Sequence, residues 1–110
     1  MRRKHPPGRE GVSFVRVLLR AELDTEKSNE AIRNGTLQKS MQSALEALRP
    51  EAAYFTAQNG CRTAFIIFDL AKTSDIPKVA EPFFLDFGAK VYFSPVMNGE
   101  DLEMGLGALG

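Results

Sequence analysis

The sequence predicts an α+β domain: a four-stranded antiparallel sheet, two helices on one face of it, and a short helix at the C-terminus. Three observations predict this. Apolar and polar residues alternate with period two from Phe14 to Leu23 and on both sides of an Asn59-Gly60 pair. Two other stretches repeat apolar residues at helical spacing. The resulting order is strand, helix, strand, strand, helix, strand, which is two strand–helix–strand units in succession. The chain has 110 residues, 44% of them hydrophobic and 25% charged, which suits one domain with one small core.

Along the chain, residues 1–11 contain Arg2, Arg3, Lys4, Pro6, Pro7 and Gly8 and read as a disordered tail, leaving 12–110 as the domain. Val12 is expected to be the true initiator, written as Val because its codon is an alternative start. The first strand places Val15, Val17, Leu19, Ala21 and Leu23 on one side and Phe14, Arg16, Leu18, Arg20 and Glu22 on the other. Arg16 and Arg20 interrupt its apolar run, so it does not read as a signal peptide. Asp24 and Thr25 offer helix N-caps, Ile32, Leu37, Met41, Leu45 and Leu48 form the stripe, and Pro50 marks the stop. Asn34-Gly35 predicts a break or kink inside this stretch, with Thr36 starting the longer piece.

Asn59-Gly60 is the sharpest local signal, because a two-residue Asn-Gly loop favours a type I′ hairpin. It sets Gln58 against Cys61, Thr56 against Thr63, Tyr54 against Phe65 and Ala52 against Ile67. Phe55 then faces Ala64 and Ala53 faces Ile66 on the side a helix covers. Ser74 or Asp75 is the expected cap of the second helix, with Pro77 in its first turn and Pro82 bending it. Ile76, Val79, Ala80, Phe83, Phe84 and Phe87 make its stripe, and Gly88 closes it. Lys90 to Val96 is the last strand, and Pro95 fits an edge strand or a strand end. Leu102, Leu106 and Leu109 are expected to dock as a helical turn or two.

Right-handed crossovers interleave the two units into a ferredoxin-like βαββαβ sandwich with the second and fourth strands at the edges. Its open face then carries Phe14, Leu18, Phe65 and Ile67, an apolar patch that calls for a cover. Arg16, Arg20, Glu22 and Asp69 lie around the patch. Tyr54, Thr56, Thr63, Tyr92 and Ser94 complete the face, with Val91 and Phe93 assigned to the helical side.

This element order and face chemistry resembles the dimeric α/β-barrel superfamily over residues 14–96, including small bacterial proteins of unassigned function. The resemblance implies a homodimer through the open faces, with Phe14, Leu18, Phe65 and Ile67 at the interface and often a pocket between the sheets. The expected function is binding of a small anionic or aromatic molecule by Arg16, Arg20, Tyr54, Thr56, Thr63 and Tyr92. The superfamily also includes cofactor-free monooxygenases and isomerases. Here Glu22, Asp69 or Tyr54 is the candidate catalytic group, a carboxylate base beside an arginine clamp suiting enolisation of a small acid. A salt-bridge network inside a dimer seam is the plainer account of the same charges. A third class is recognition of protein or RNA by an uncovered sheet.

Composition narrows these classes. The only histidine, His5, lies in the tail, so the fold lacks a proximal haem ligand and a histidine base. One cysteine, Cys61, forms neither a disulfide nor a zinc pattern, and no cofactor or metal is expected. A reduced, cytoplasmic setting follows. Four of the 14 basic and one of the 14 acidic residues precede Val12, so the domain holds 10 basic and 13 acidic residues, a poor match to a phosphate backbone. Ala64-Phe65-Ile66-Ile67-Phe68 resembles part of an RNA-recognition strand, but Thr63 stands where a stacking aromatic belongs and Arg62 where a glycine belongs. No apolar run is long enough to span a membrane. Asp86-Phe87-Gly88 is a helix end rather than a kinase triplet, and Gly105, Gly107 and Gly110 follow no strand and cradle no phosphate.

Overall fold

The computed structural model describes residues 14–110; the expected tail and the alternative start at Val12 lie outside them. The elements run β1 (Val15–Glu22), α1 (Thr25–Arg33), α2 (Thr36–Leu48), β2 (Ala52–Gln58), β3 (Cys61–Leu70), a 3₁₀ turn (Thr73–Asp75), α3 (Ile76–Phe87), β4 (Lys90–Pro95) and α4 (Gly99–Gly107). The strands form one open antiparallel sheet in the order β2-β3-β1-β4. β2 and β4 are the edges, and Pro95 ends β4, where its missing N–H is harmless.

Local chemistry sets most boundaries. The Asp24 side chain caps α1 by accepting from the Lys27 N–H at 2.9 Å. Gly35 (φ +77°) separates α1 from α2, so the first helical stretch is two helices rather than one bent one. The β2–β3 hairpin turns through Asn59 (φ +56°) and Gly60 (φ +77°) with every cross-strand pair in the expected register. Gly88 (φ +57°) ends α3, its N–H bonded to Phe84 O at 3.0 Å.

Two expectations at helix ends need correction. Asp75 stands at the N-cap of α3 but makes no side-chain capping bond: the preceding 3₁₀ turn leaves it in a helical conformation (φ −83°, ψ −8°) rather than the extended one that aims a capping side chain back at the first turn. Neither Ser74 nor Asp75 is therefore a side-chain cap. At the C-terminus α4 forms, held by a capping box between Asn98 and Asp101, yet all nine of its residues are exposed. Its leucines do not dock on their own chain.

Helices α2 and α3 cover one face of the sheet. There Val17, Leu19, Ala21, Ala64, Ile66 and Phe68 meet Phe83 and Phe87, with Val91 and Phe93 packed against them. Leu19 and Ile66 are 0% exposed; fully burying such a side chain stabilises by about 1.5–3 kcal/mol. Buried Ser28 accepts a hydrogen bond from Arg62 Nη1 at 2.7 Å, and Lys27 Nζ donates to Leu85 O at 2.7 Å, tying α1 to the sheet and to α3.

Candidate functional site

The opposite face of the sheet is uncovered, and the strand registers order its side chains into rows. Asp69 pairs with Arg16; Ala52, Ile67, Leu18 and Ser94 form the next row; then Tyr54, Phe65, Arg20 and Tyr92; then Thr56, Thr63, Glu22 and Lys90. Leu18, Phe65 and Ile67 are half-buried where they stand, and Phe14 lies half-buried just before β1.

The two arginines of this face have different surroundings. Arg16 donates from Nε to Glu51 Oε1 at 2.8 Å and from Nη1 to Asp101 Oδ2 at 3.0 Å. The hydrogen bond to Glu51 raises its pKa above the ordinary arginine value, partly opposed by desolvation and reinforced by the charges of Glu51, Asp101 and Asp69. Arg16 is thus engaged by carboxylates of its own chain.

Arg20 is not. Its guanidinium carbon lies 4.2 Å from the centre of the Tyr92 ring, a cation–π contact. Its Nε is shut off from solvent and has no acceptor. The neighbouring Glu22 Oε2 stands 3.6 Å away, an ion pair but too long for a hydrogen bond. That Glu22 oxygen instead accepts from Asn59 Nδ2 at 3.1 Å, in a side chain only 10% exposed. A depression of about 480 Å³ lined by Leu18, Arg20, Phe65, Tyr92 and Ser94 opens beside the pair.

Of the candidate site residues, Arg20, Glu22, Tyr54 and Tyr92 lie in two adjacent rows. Asp69 belongs to the row of Arg16, six residues from Glu22 along the register of β1, about 20 Å away. Thr63 is 3% exposed and its hydroxyl donates to Cys61 O at 3.1 Å, so it braces the hairpin. Thr56 is exposed on the edge strand. Two contributors escaped the sequence reading. Asn59 was fully accounted for by its turn, which hid the role of its amide. Lys90 is the register partner of Glu22, readable only once β4 is aligned with β1.

Among the described residues no group of three or more His, Cys, Asp or Glu side chains is placed to hold a metal ion, and no helix is long and apolar enough to cross a membrane. Comparison with family models, curated proteins and solved structures finds no match.

Proposed function

We propose that the chain is a ferredoxin-like, homodimeric α/β-barrel protein whose joined sheet faces bind a small planar carboxylate at Arg20. The element order and the strand order β2-β3-β1-β4 support the fold reading. The observation that carries the binding reading is Arg20: a guanidinium held over the Tyr92 ring, ion-paired with Glu22, whose Nε makes no hydrogen bond. A buried donor without a hydrogen bond costs about 1–3 kcal/mol; the Arg20 side chain is 36% exposed as a whole, which leaves room for a ligand carboxylate to approach the guanidinium from the open side. Arg20 and Lys90 outweigh Glu22, so this corner is cationic in an otherwise mildly acidic domain. Tyr54, Phe65 and Tyr92 share the row and supply aromatic surface for a planar ligand.

Titration with salicylate, followed by NMR at the Tyr92 and Phe65 rings, tests the reading. Saturable shifts in the wild type that vanish in Arg20→Met are expected. Sedimentation gives the subunit count on the same samples. A monomer at micromolar concentration, or unchanged salicylate shifts in Arg20→Met, overturns the proposal.

One observation favours a second reading. Glu22 is buried, oriented by Asn59 and beside a guanidinium, the arrangement of a carboxylate that takes a proton from carbon α to a bound carboxylate and returns it to a neighbouring carbon. Glu22→Gln with salicylate binding intact and an isomerising activity lost would favour it over binding alone.

A further inference from the structure

We propose that α4 of each copy clasps the rim of the partner's open face beside Lys90, which sets the two-fold axis of the dimer across the strands; the inference rests on the dimer reading above. α4 and the uncovered face are on the same side of the sheet. Arg16 belongs to that face, and its Nη1 donates to Asp101 Oδ2 at 3.0 Å in the first turn of α4. A depression beside the pair is lined by Phe14, Arg16, Asp69, Met97 and Asp101. A second copy laid on the face therefore meets α4 as well.

Beyond that first turn α4 rises away from its own sheet. All nine of its residues are exposed. The stripe Leu102, Leu106 and Leu109, at i, i+4 and i+7, climbs from 46% to 58% to 82% exposure. A nine-residue helix is marginal in water by itself, whatever its caps, and persists when its apolar face is packed. It is about 13 Å long, more than the roughly 10 Å between facing sheets, so its far end reaches the partner.

Charge selects where it lands. Around Arg16 stand Glu51, Asp69 and Asp101, and α4 adds Glu100 and Glu103, which makes this end of the face acidic. At the other end Arg20 and Lys90 outweigh Glu22. A two-fold axis along the strands would stack each acidic end on its own image, which like charges oppose. An axis across the strands, through the middle of the four rows, sets the Arg16 row of one chain over the Glu22–Lys90 row of the other. There the α4 carboxylates meet the partner's Lys90, and the end of the leucine stripe lies along its alkyl stem. Each copy gives one clasp and receives one, so the assembly closes at two chains.

Cysteine cross-linking between differently marked chains tests it. In a Cys61→Ser background, one preparation carries Glu103→Cys and the other Lys90→Cys, and the two are unfolded and refolded together. The expected result is a disulfide-linked pair of chains from the mixture and from neither preparation alone. In low salt, sedimentation of Lys90→Glu should show a dimer dissociation constant raised about fivefold or more, and adding Glu103→Lys should recover most of that loss. A dimer that gives no link in the mixture, or that links two Glu103→Cys chains to each other, overturns the clasp while leaving the dimer standing. A double variant that dimerises no more tightly than Lys90→Glu alone overturns it too. A wild-type monomer overturns both readings.

Discussion

The two faces of the sheet are built from the same strands and meet different fates. On the helical face Leu19 and Ile66 are 0% exposed, sealed by Phe83 and Phe87. One residue along, Leu18 and Ile67 pair on the other face and stay half-buried, in a chain that leaves Tyr54 66% and Tyr92 42% exposed. The helical face is packed within one chain except over β2, where Phe55 stays 54% exposed; the open face has no cover from its own helices, and the proposed dimer would supply one. Stability is therefore concentrated on one side, and the open side holds groups whose arrangement single-chain stability does not explain, Arg20 first among them.

The largest expected effect breaks or upholds that division directly. Leu19→Ala should lose about 2–5 kcal/mol of unfolding free energy, because the packed face cannot collapse onto the cavity. Leu18→Ala should cost far less in dilute protein, and more as the concentration rises if the proposed dimer covers Leu18. Urea unfolding at two widely separated protein concentrations measures both. Equal losses in dilute protein would show that the open face is as structural as the helical one.

How much of this was legible follows the same division. Period-two alternation and the Asn59-Gly60 turn fix which face each side chain takes, because register pins every Cβ within the sheet. Face membership does not fix partners. Arg16 and Arg20 alternate alike, but Arg16 is captured by Glu51 and by Asp101, the latter 85 positions away, and such choices depend on what the folded chain brings within reach. The Asn59 amide was invisible for the opposite reason: the turn alone justified the residue. At α4 the Asn98–Asp101 capping pair was present in the sequence, but periodicity alone does not bury a helix, and its leucines stay exposed.

Next in size is Gly88→Ala, which confines its damage to the helical face. A left-handed backbone disfavours any Cβ, and this one would lie 3.3 Å from both Asp24 Cβ and Lys27 Cδ. A loss of about 1–2 kcal/mol is expected, with the dimer constant unchanged. Gly88→Asn relieves only the backbone part and should fall between Ala and wild type if both parts matter. Thermal unfolding paired with sedimentation reads the two effects separately.

Asn59→Gly probes the open face at a similar or smaller scale. Glycine keeps the positive φ of the turn and deletes the amide that holds Glu22. Losing a hydrogen bond to a carboxylate should cost about 1 kcal/mol, and the clearer readout is binding. With Glu22 released to close on Arg20, salicylate should bind more weakly while the hairpin amide resonances stay in place. A variant that unfolds the hairpin instead would make Asn59 a turn residue alone.

The smallest effect is expected at Arg16, and its smallness is the sharpest contrast with Arg20. Both its ion pairs are largely exposed, Glu51 at 56% and Asp101 at 47% of their side chains, and exposed pairs contribute little. Arg16→Met should shift urea unfolding only slightly, and the difference should fade in 1 M salt, where the screening length is about 3 Å. The pH dependence has a definite sign. A group whose pKa is raised on folding stabilises fully below its unfolded value and loses that contribution only as pH rises through its folded value. For an arginine both lie beyond the working range, so the Arg16 guanidinium stays charged from about pH 5 to about pH 9 and supplies no titration there. What Arg16→Met should change is the grip on α4, since Asp101 loses its tether at the first turn. Faster amide exchange along Gly99–Gly107 with salicylate binding unaltered is the expected outcome. Loss of salicylate binding in Arg16→Met would erase the distinction between the two arginines.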